Sequence, residues 1–250
     1  MDFNISTYLS LLGALKDSGY AFQTFENFLI KPEKRGIILR HDVDLKPINS
    51  LLFAKLQEKE GIQGTYYFRA VKESWDEDII KEIHSMGHEV GYHYECLTTT
   101  KGDFNLAFED FKLNLNKLRK LVPVQTICMH GSPLSRFDSK DLWKKYDYKD
   151  LKLIGEPYFD IDFNKVLYLT DTGRTWNNRK ISVRDHVSKK FNTEFKNTVN
   201  IIEAANRNKL PQQIMFNFHP QRWTNNKLEW SKEYILQNMK NQIKRFIIKN

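Results

Sequence analysis

The stretch "GIILRHDVDL", Gly36 to Leu45, decides how this chain is read. Ile37, Ile38 and Leu39 run directly into Arg40, His41, Asp42 and Asp44. The apolar run reads as a buried strand. Charge at the end of such a strand is costly unless something there stabilises it. Its surroundings in the sequence show what that could be.

Outward from this stretch, one unit repeats: a short apolar run, then an amphipathic helical pattern. "GTYYFRA", "HEVGYHYE" and "VQTICMH" read as further strands. The helix "KPINSLLFAKLQEKEG" has Pro47 near its start and Gly61 beyond its end. "SWDEDIIKEIHSMG" offers Ser74 as N-cap, Glu77 as its capping-box partner and Gly87 as its stop. "DFNLAFEDFKLNLNKLRKLVP" is capped by Asp103 and ends before Pro123. After Gly131 the pattern loosens. "SKDLWKKYD" reads as a short helix, and "LKLIGE" and "KVLYLTD" as strands. "TEFKNTVNIIEAANRNKLP" is a helix, "QQIMFNFHP" a strand, and "SKEYILQNMKNQIKRFIIKN" the closing helix.

Strands alternating with helices imply parallel pairing with helices outside the sheet. The fold class is α/β, and about seven parallel strands favour a barrel or near-barrel over an open sheet. Residues 1–30 read as a helical N-terminal addition, and 250 residues suit one domain spanning 1–250.

Composition narrows the function classes. At 40% hydrophobic and 28% charged the chain is globular, with no stretch approaching the roughly 18 apolar residues of a membrane span. The N-terminal stretch lacks the pattern of a secretory signal. Cys96 and Cys128 form no CxxC pair, which points to a reducing, cytoplasmic location. The net charge is +8, and Lys232, Lys240, Lys244, Arg245 and Lys249 recur in the last helix. That helix reads either as a solvated face or as a peripheral contact with an anionic surface such as lipid headgroups or an acidic glycan. No nucleic-acid partner is expected, because no binding motif accompanies the charge.

The polar residues fall into register with the strands. Asp42 and Asp44, His93 and Glu95, His130, Asp171 and His219 all stand at strand C-terminal ends. In parallel α/β folds that rim carries the chemistry. Residues two apart share a strand face, so Asp42 and Asp44 can point the same way, as can His93 and Glu95. Two close carboxylates are not both ionised cheaply without a cation beside them. A divalent metal is the simplest one; carboxylate and imidazole together suit zinc, and also cobalt, nickel, manganese or iron. Each residue has a plainer reading: the aspartates as a helix cap before Pro47, His93 as a core histidine. His84 and His88 read as structural, and His186 is assigned nothing. The joint placement favours a site.

In order and content these pieces resemble the polysaccharide deacetylases, the NodB-homology carbohydrate esterases, over roughly Gly36 to Trp223. The resemblance implies the distorted barrel, a divalent metal (zinc first), and removal of an N-acyl group from a sugar. "RHDVD" resembles the family's paired aspartates, which makes Asp42 the general base and Asp44 a ligand. "GHEVGYH" matches the family's metal strand, which makes His93 a ligand. "NFHPQRW" supplies His219 as the acid. The family's second histidine, four residues on, falls on Leu97, so the third ligand comes from His130 or Glu95, with His130 favoured. "LTDTGRTWN" stands where an aspartate–tryptophan motif belongs, implying that Asp171, Arg174 and Trp176 position the base and stack on sugar, with Trp223 a further sugar contact. The implied substrate is a carbohydrate or sugar precursor in surface-polysaccharide metabolism. Two rivals stand beside this: hydrolysis of another amide or a phosphoester, and an inactive barrel that binds glycan or a partner protein.

Overall fold

A computed structural model of the chain describes residues 1–132, 135–176, 191 and 194–249. Its strands are β1 (Ala21–Gln23), β2 (Gly36–Val43), β3 (Thr65–Phe68), β4 (Glu89–Tyr94), β5 (Ile127–Met129), β6 (Val166–Thr170) and β7 (Gln213–Phe218). The helices are α1 (Ile5–Asp17), α2 (Phe25–Ile30), α3 (Pro47–Lys59), α4 (Glu77–Ser85), α5 (Cys96–Thr99), α6 (Phe104–Arg119), α7 (Pro157–Asp160), α8 (Thr198–Asn206) and α9 (Lys227–Lys249). Local chemistry explains most boundaries. Pro47 opens α3 in the first turn, where its missing N–H costs nothing. The Asp103 side chain caps α6 by accepting from the amides of Asn105 and Leu106.

Among the described residues all strand pairings are parallel, in one seven-stranded sheet of order β5-β4-β3-β2-β7-β6 with β1 as a seventh strand pairing β2. β2 is central and every one of its residues is buried. Its first half pairs with β1 and its second half with β3, along the same edge. Side chains on the two faces separate into two cores. One face packs under the helices through Ile37, Leu39, Tyr66, Phe68, Tyr92 and Phe216. On the other, Ile38, Tyr67, Cys128, Tyr168 and Met215 form a second cluster. Cys128 and Tyr168 belong to the two outermost strands, β5 and β6, which do not pair; the cluster lines the inner face of the sheet from one edge to the other. The result is a curled half-barrel, a distorted (β/α) barrel left open between β5 and β6 among the described residues.

Gly91 of β4 marks a close approach in this interior. A Cβ there would overlap the Tyr67 ring and sit 2.8 Å from the Thr126 carbonyl oxygen.

Three sequence expectations need correction. The first 30 residues are not purely helical, because β1 joins the sheet there. The segment's role is to close the barrel bottom: buried Glu89 accepts from the Glu26 amide and the Thr65 hydroxyl, and Phe25 enters the interior cluster. "LKLIGE" makes only a single bridge, Thr126 to Gly155, not a strand. The cap of α4 is Asp76, which accepts from the Ile79 amide; Ser74 instead donates to the Val43 carbonyl, 2.5 Å away. The short helix expected at "SKDLWK" is present, in the 3-10 form. His186, Pro133 and Leu134 lie outside the described residues, as do the side chains of Lys244, Arg245 and Lys249.

Candidate metal centre and active site

Parallel strands bring their C-terminal ends to one rim. β2 delivers Asp42 and, just past its end, Asp44. β4 delivers His93 and then Glu95; His130 follows β5, Asp171 follows β6, and His219 follows β7.

Asp44, His93 and His130 converge. The Asp44 Oδ1 atom lies 3.7 Å from His93 Nε2 and 3.5 Å from His130 Nε2. That oxygen is buried and has no hydrogen-bond partner. Each imidazole is held by its other nitrogen. His93 Nδ1 is 2.9 Å from the Cys128 carbonyl, so Nδ1–H donates there and Nε2 keeps its lone pair. His130 Nδ1 is 3.0 Å from Glu95 Oε2, with the same consequence. Burial pushes His93 down to about 4, so it is neutral at neutral pH. Burial alone would raise Asp44, but the facing imidazoles of His130, His219 and His93 hold it below its ordinary value.

This donor set fits a divalent cation. Tetrahedral coordination with bonds of about 2.0–2.1 Å sets neighbouring ligand atoms roughly 3.3 Å apart. The observed separations are only a few tenths of an ångström wider, and the unpartnered Asp44 oxygen is the atom a cation would satisfy. Asp42, His93 and Cys128 form a second, overlapping group within 4.8 Å of one another. We favour the first group, because both Asp42 oxygens are already engaged.

Arg40 clasps Asp42 bidentately, Nε to Oδ1 at 2.8 Å and Nη2 to Oδ2 at 2.7 Å. Asn217 Nδ2 donates to the same Oδ2 at 3.0 Å. Burial opposes ionisation, but Arg40, His93 and His219 outweigh it and hold Asp42 well below the usual carboxylate range. Asp42 is thus an ionised carboxylate, oriented by others, with Oδ2 3.6 Å from His93 Nε2.

On the opposite flank His219 pairs with Asp171, Nδ1 to Oδ1 at 2.5 Å. Asp171 is itself fixed by Trp223 Nε1 at 2.6 Å and Arg222 Nη1 at 3.1 Å. The free His219 Nε2 faces the site, 3.8 Å from Asp44 Oδ2 and 4.0 Å from Asp42 Oδ2. A carboxylate bonded to Nδ1–H fixes the tautomer and the orientation of the ring. The rim thus holds a buried base and a histidine able to hold a proton, on either side of a cation nest.

Neither a family model nor a curated protein matches the sequence. Solved structures do, among them family 4 carbohydrate esterases, a peptidoglycan deacetylase and a CE4 family pseudoenzyme. The peptidoglycan deacetylase PdaC from Bacillus subtilis aligns over 85% of this chain and 86% of its own, at 13% identity and a TM-score of 0.45. A family 4 carbohydrate esterase from Bacillus anthracis aligns over 97% of this chain and 89% of its own, at 10% identity and a TM-score of 0.42. A CE4 family pseudoenzyme, also from Bacillus anthracis, covers 84% of this chain at 15% identity with a TM-score of 0.43; this chain spans 62% of that protein's length.

The structure brings together Asp42, Asp44, His93, His130, Asp171 and His219. It places four other expected site residues elsewhere. Glu95 does not join the nest; it lies behind His130, where Arg69 Nε and Nη2 bind its Oε1 at 2.8 and 2.6 Å. That ion pair and the His130 contact hold Glu95 down to about 2 against burial. Trp176 and Trp223 are 4% and 1% exposed and have no free face for a sugar. Trp176 packs on Phe216 and Phe218, and Trp223 on Phe3 and Tyr8. Arg174 stacks over Trp230, 4.6 Å from its centroid, and Asp171 positions His219 rather than the base.

Three functional residues escaped assignment to a role. Arg40 carried a signal: it sits two residues before Asp42, hence on the same face. Asn217 shares a face with His219 by the same rule, and Arg69 ends "GTYYFRA" at the rim. His41, by contrast, faces the helices. It contacts the Thr65 carbonyl and Gln57 and stacks on Tyr66, a packing role. No helix among the described residues is long and apolar enough to cross a membrane.

Proposed function

We propose that this chain is a metal-dependent hydrolase that removes an N-acyl group from a sugar. The observation that carries the reading is the buried, unpartnered Asp44 oxygen between two imidazoles whose lone pairs face it. Asp44, His93 and His130 would hold the cation, with zinc favoured by the donor set. When bound, the cation supplies Lewis acidity, polarising the acyl carbonyl and acidifying a nearby water.

The chain's own residues supply the rest. Asp42, ionised and fixed by Arg40 and Asn217, accepts the proton of the attacking water. His219 Nε2, with Nδ1 tied to Asp171, gives a proton to the departing nitrogen. An amine leaves poorly without one, so an acid opposite the base favours amide over ester chemistry. Leu97 stands where the resembled family has a histidine, and that gap was the support for a barrel that only binds. Leu97 is buried in the apolar core, and His130 stands beside Asp44 instead.

The test is acetate release from N-acetylated amino sugars and their nucleotide-linked forms by metal-reconstituted and chelator-treated protein. Release that requires metal and fails in Asp42→Asn supports the reading. Equal rates with and without metal, or hydrolysis of phosphoesters alone, would overturn it.

A further inference from the structure

The face of α9 turned away from the body is apolar. Leu228, Ile235, Met239 and Ile243 are 75%, 58%, 60% and 56% exposed, and Leu236 beside them is 52% exposed. Their spacings of seven, four and four residues keep them on one helix face. The opposite face holds α9 to the protein. Trp230 Nε1 donates to the Asp2 carbonyl at 2.7 Å, and Asn241 Nδ2 to the Gly173 carbonyl at 2.9 Å. An ordinary surface helix would carry its polar residues where α9 carries this stripe.

Charge indicates what covers it. Lys227, Lys232 and Lys240 are exposed on α9, Lys232 within the stripe, and the acidic residues Glu229 and Glu233 are confined to the first half of the helix. From Tyr234 to Lys249 the sequence holds Lys240, Lys244, Arg245 and Lys249 and no acidic residue. A second copy would press an equally cationic helix against this one, in a molecule of net charge +8. An apolar stripe bordered by cations is instead the pattern that lies in the headgroup layer of an anionic bilayer.

We propose that the outward face of α9 docks the protein on an anionic lipid surface, with the stripe in the headgroup–acyl boundary and the lysines on lipid phosphates. Gly173, on which α9 is seated, is two residues past Asp171, so docking would bring the reaction rim close to the membrane. This inference does not depend on the reaction proposed above.

Co-sedimentation of the full chain with vesicles tests it, comparing phosphatidylcholine alone with phosphatidylcholine plus phosphatidylglycerol. The expected result is binding at least about tenfold tighter to the anionic vesicles, lost in high salt. The double variant Ile235→Ser, Met239→Ser should bind at least about tenfold more weakly, from lost apolar burial, and Lys240→Glu should weaken binding by a similar factor. Both should keep wild-type circular dichroism and metal content. Undetectable or equal binding to the two vesicle types would overturn the proposal, as would unchanged binding by the double variant. A lipid-free dimer that the double variant abolishes would show that the stripe is a protein interface instead.

Discussion

Arg40 and Asp42 stand two residues apart on one strand and form a bidentate pair inside the barrel, at 2.8 and 2.7 Å. Both are almost fully buried, so each depends on the other for its charge. Asp42 is held below its ordinary value, so its contribution to stability is complete above about pH 4 and is lost as the pH falls toward the depressed value. Arg40→Met removes the counter-charge. The variant should lose about 3–5 kcal/mol of stability near neutral pH, the usual cost of stranding one member of a buried pair. The acid limb of its pH–rate profile should also move upward, because burial then dominates Asp42. Denaturant titration and a pH profile check both; an unmoved acid limb would separate Arg40 from the base.

Glu95 and His130 separate an orienting residue from a ligand. His130→Ala should remove a donor and sharply weaken metal affinity. Glu95→Gln removes only the negative charge behind the ring and should cost about 10- to 100-fold. Competition against a chromogenic chelator measures both. A greater loss for Glu95→Gln than for His130→Ala would reverse the assignment.

His219→Gln should slow amide substrates by about 10²- to 10⁴-fold, as loss of a general acid does. Activated aryl esters should suffer much less, because their leaving groups need no proton. Metal content should not change. Equal loss on both substrate classes would argue against an acid role, and lost metal would make His219 a ligand.

Glu156 provides a pH test away from the rim. Burial pushes it up to about 7, against hydrogen bonds from the Met129 and Tyr158 amides. A carboxyl raised in the folded state contributes stability that is complete below its unfolded value of 4.5 and is lost as the pH rises through 7. Relative to Glu156→Gln, metal-free wild type should therefore lose roughly 1.4 kcal/mol per pH unit between those values. Parallel stability curves would contradict the shift.

The rim was legible because strand chemistry is local. "DVD", "HEVGYH" and "NFHP" place charge directly after apolar runs, and period-two alternation assigns their faces. The same rule reaches Arg40 and Asn217, but only once Asp42 is known to need partners. Glu95 misled for a physical reason: β4 ends at Tyr94, so alternation no longer governs the next residue, and its side chain turns to Arg69. The two tryptophans misled differently. Whether Trp176 and Trp223 face solvent depends on Phe3 and Tyr8, more than 160 residues away in sequence, and no local pattern carries that. The opening between β5 and β6 likewise depends on edges that sequence periodicity does not describe.

The central claim is that Asp44, His93 and His130 form one metal centre. Anomalous diffraction from crystals of the reconstituted protein at the metal's absorption edge tests it most directly. The account predicts one peak, about 2.0–2.2 Å from an Asp44 carboxylate oxygen and from the Nε2 atoms of His93 and His130. A peak coordinated by Asp42 and the Cys128 sulfur, or no peak from protein given excess metal, would contradict it.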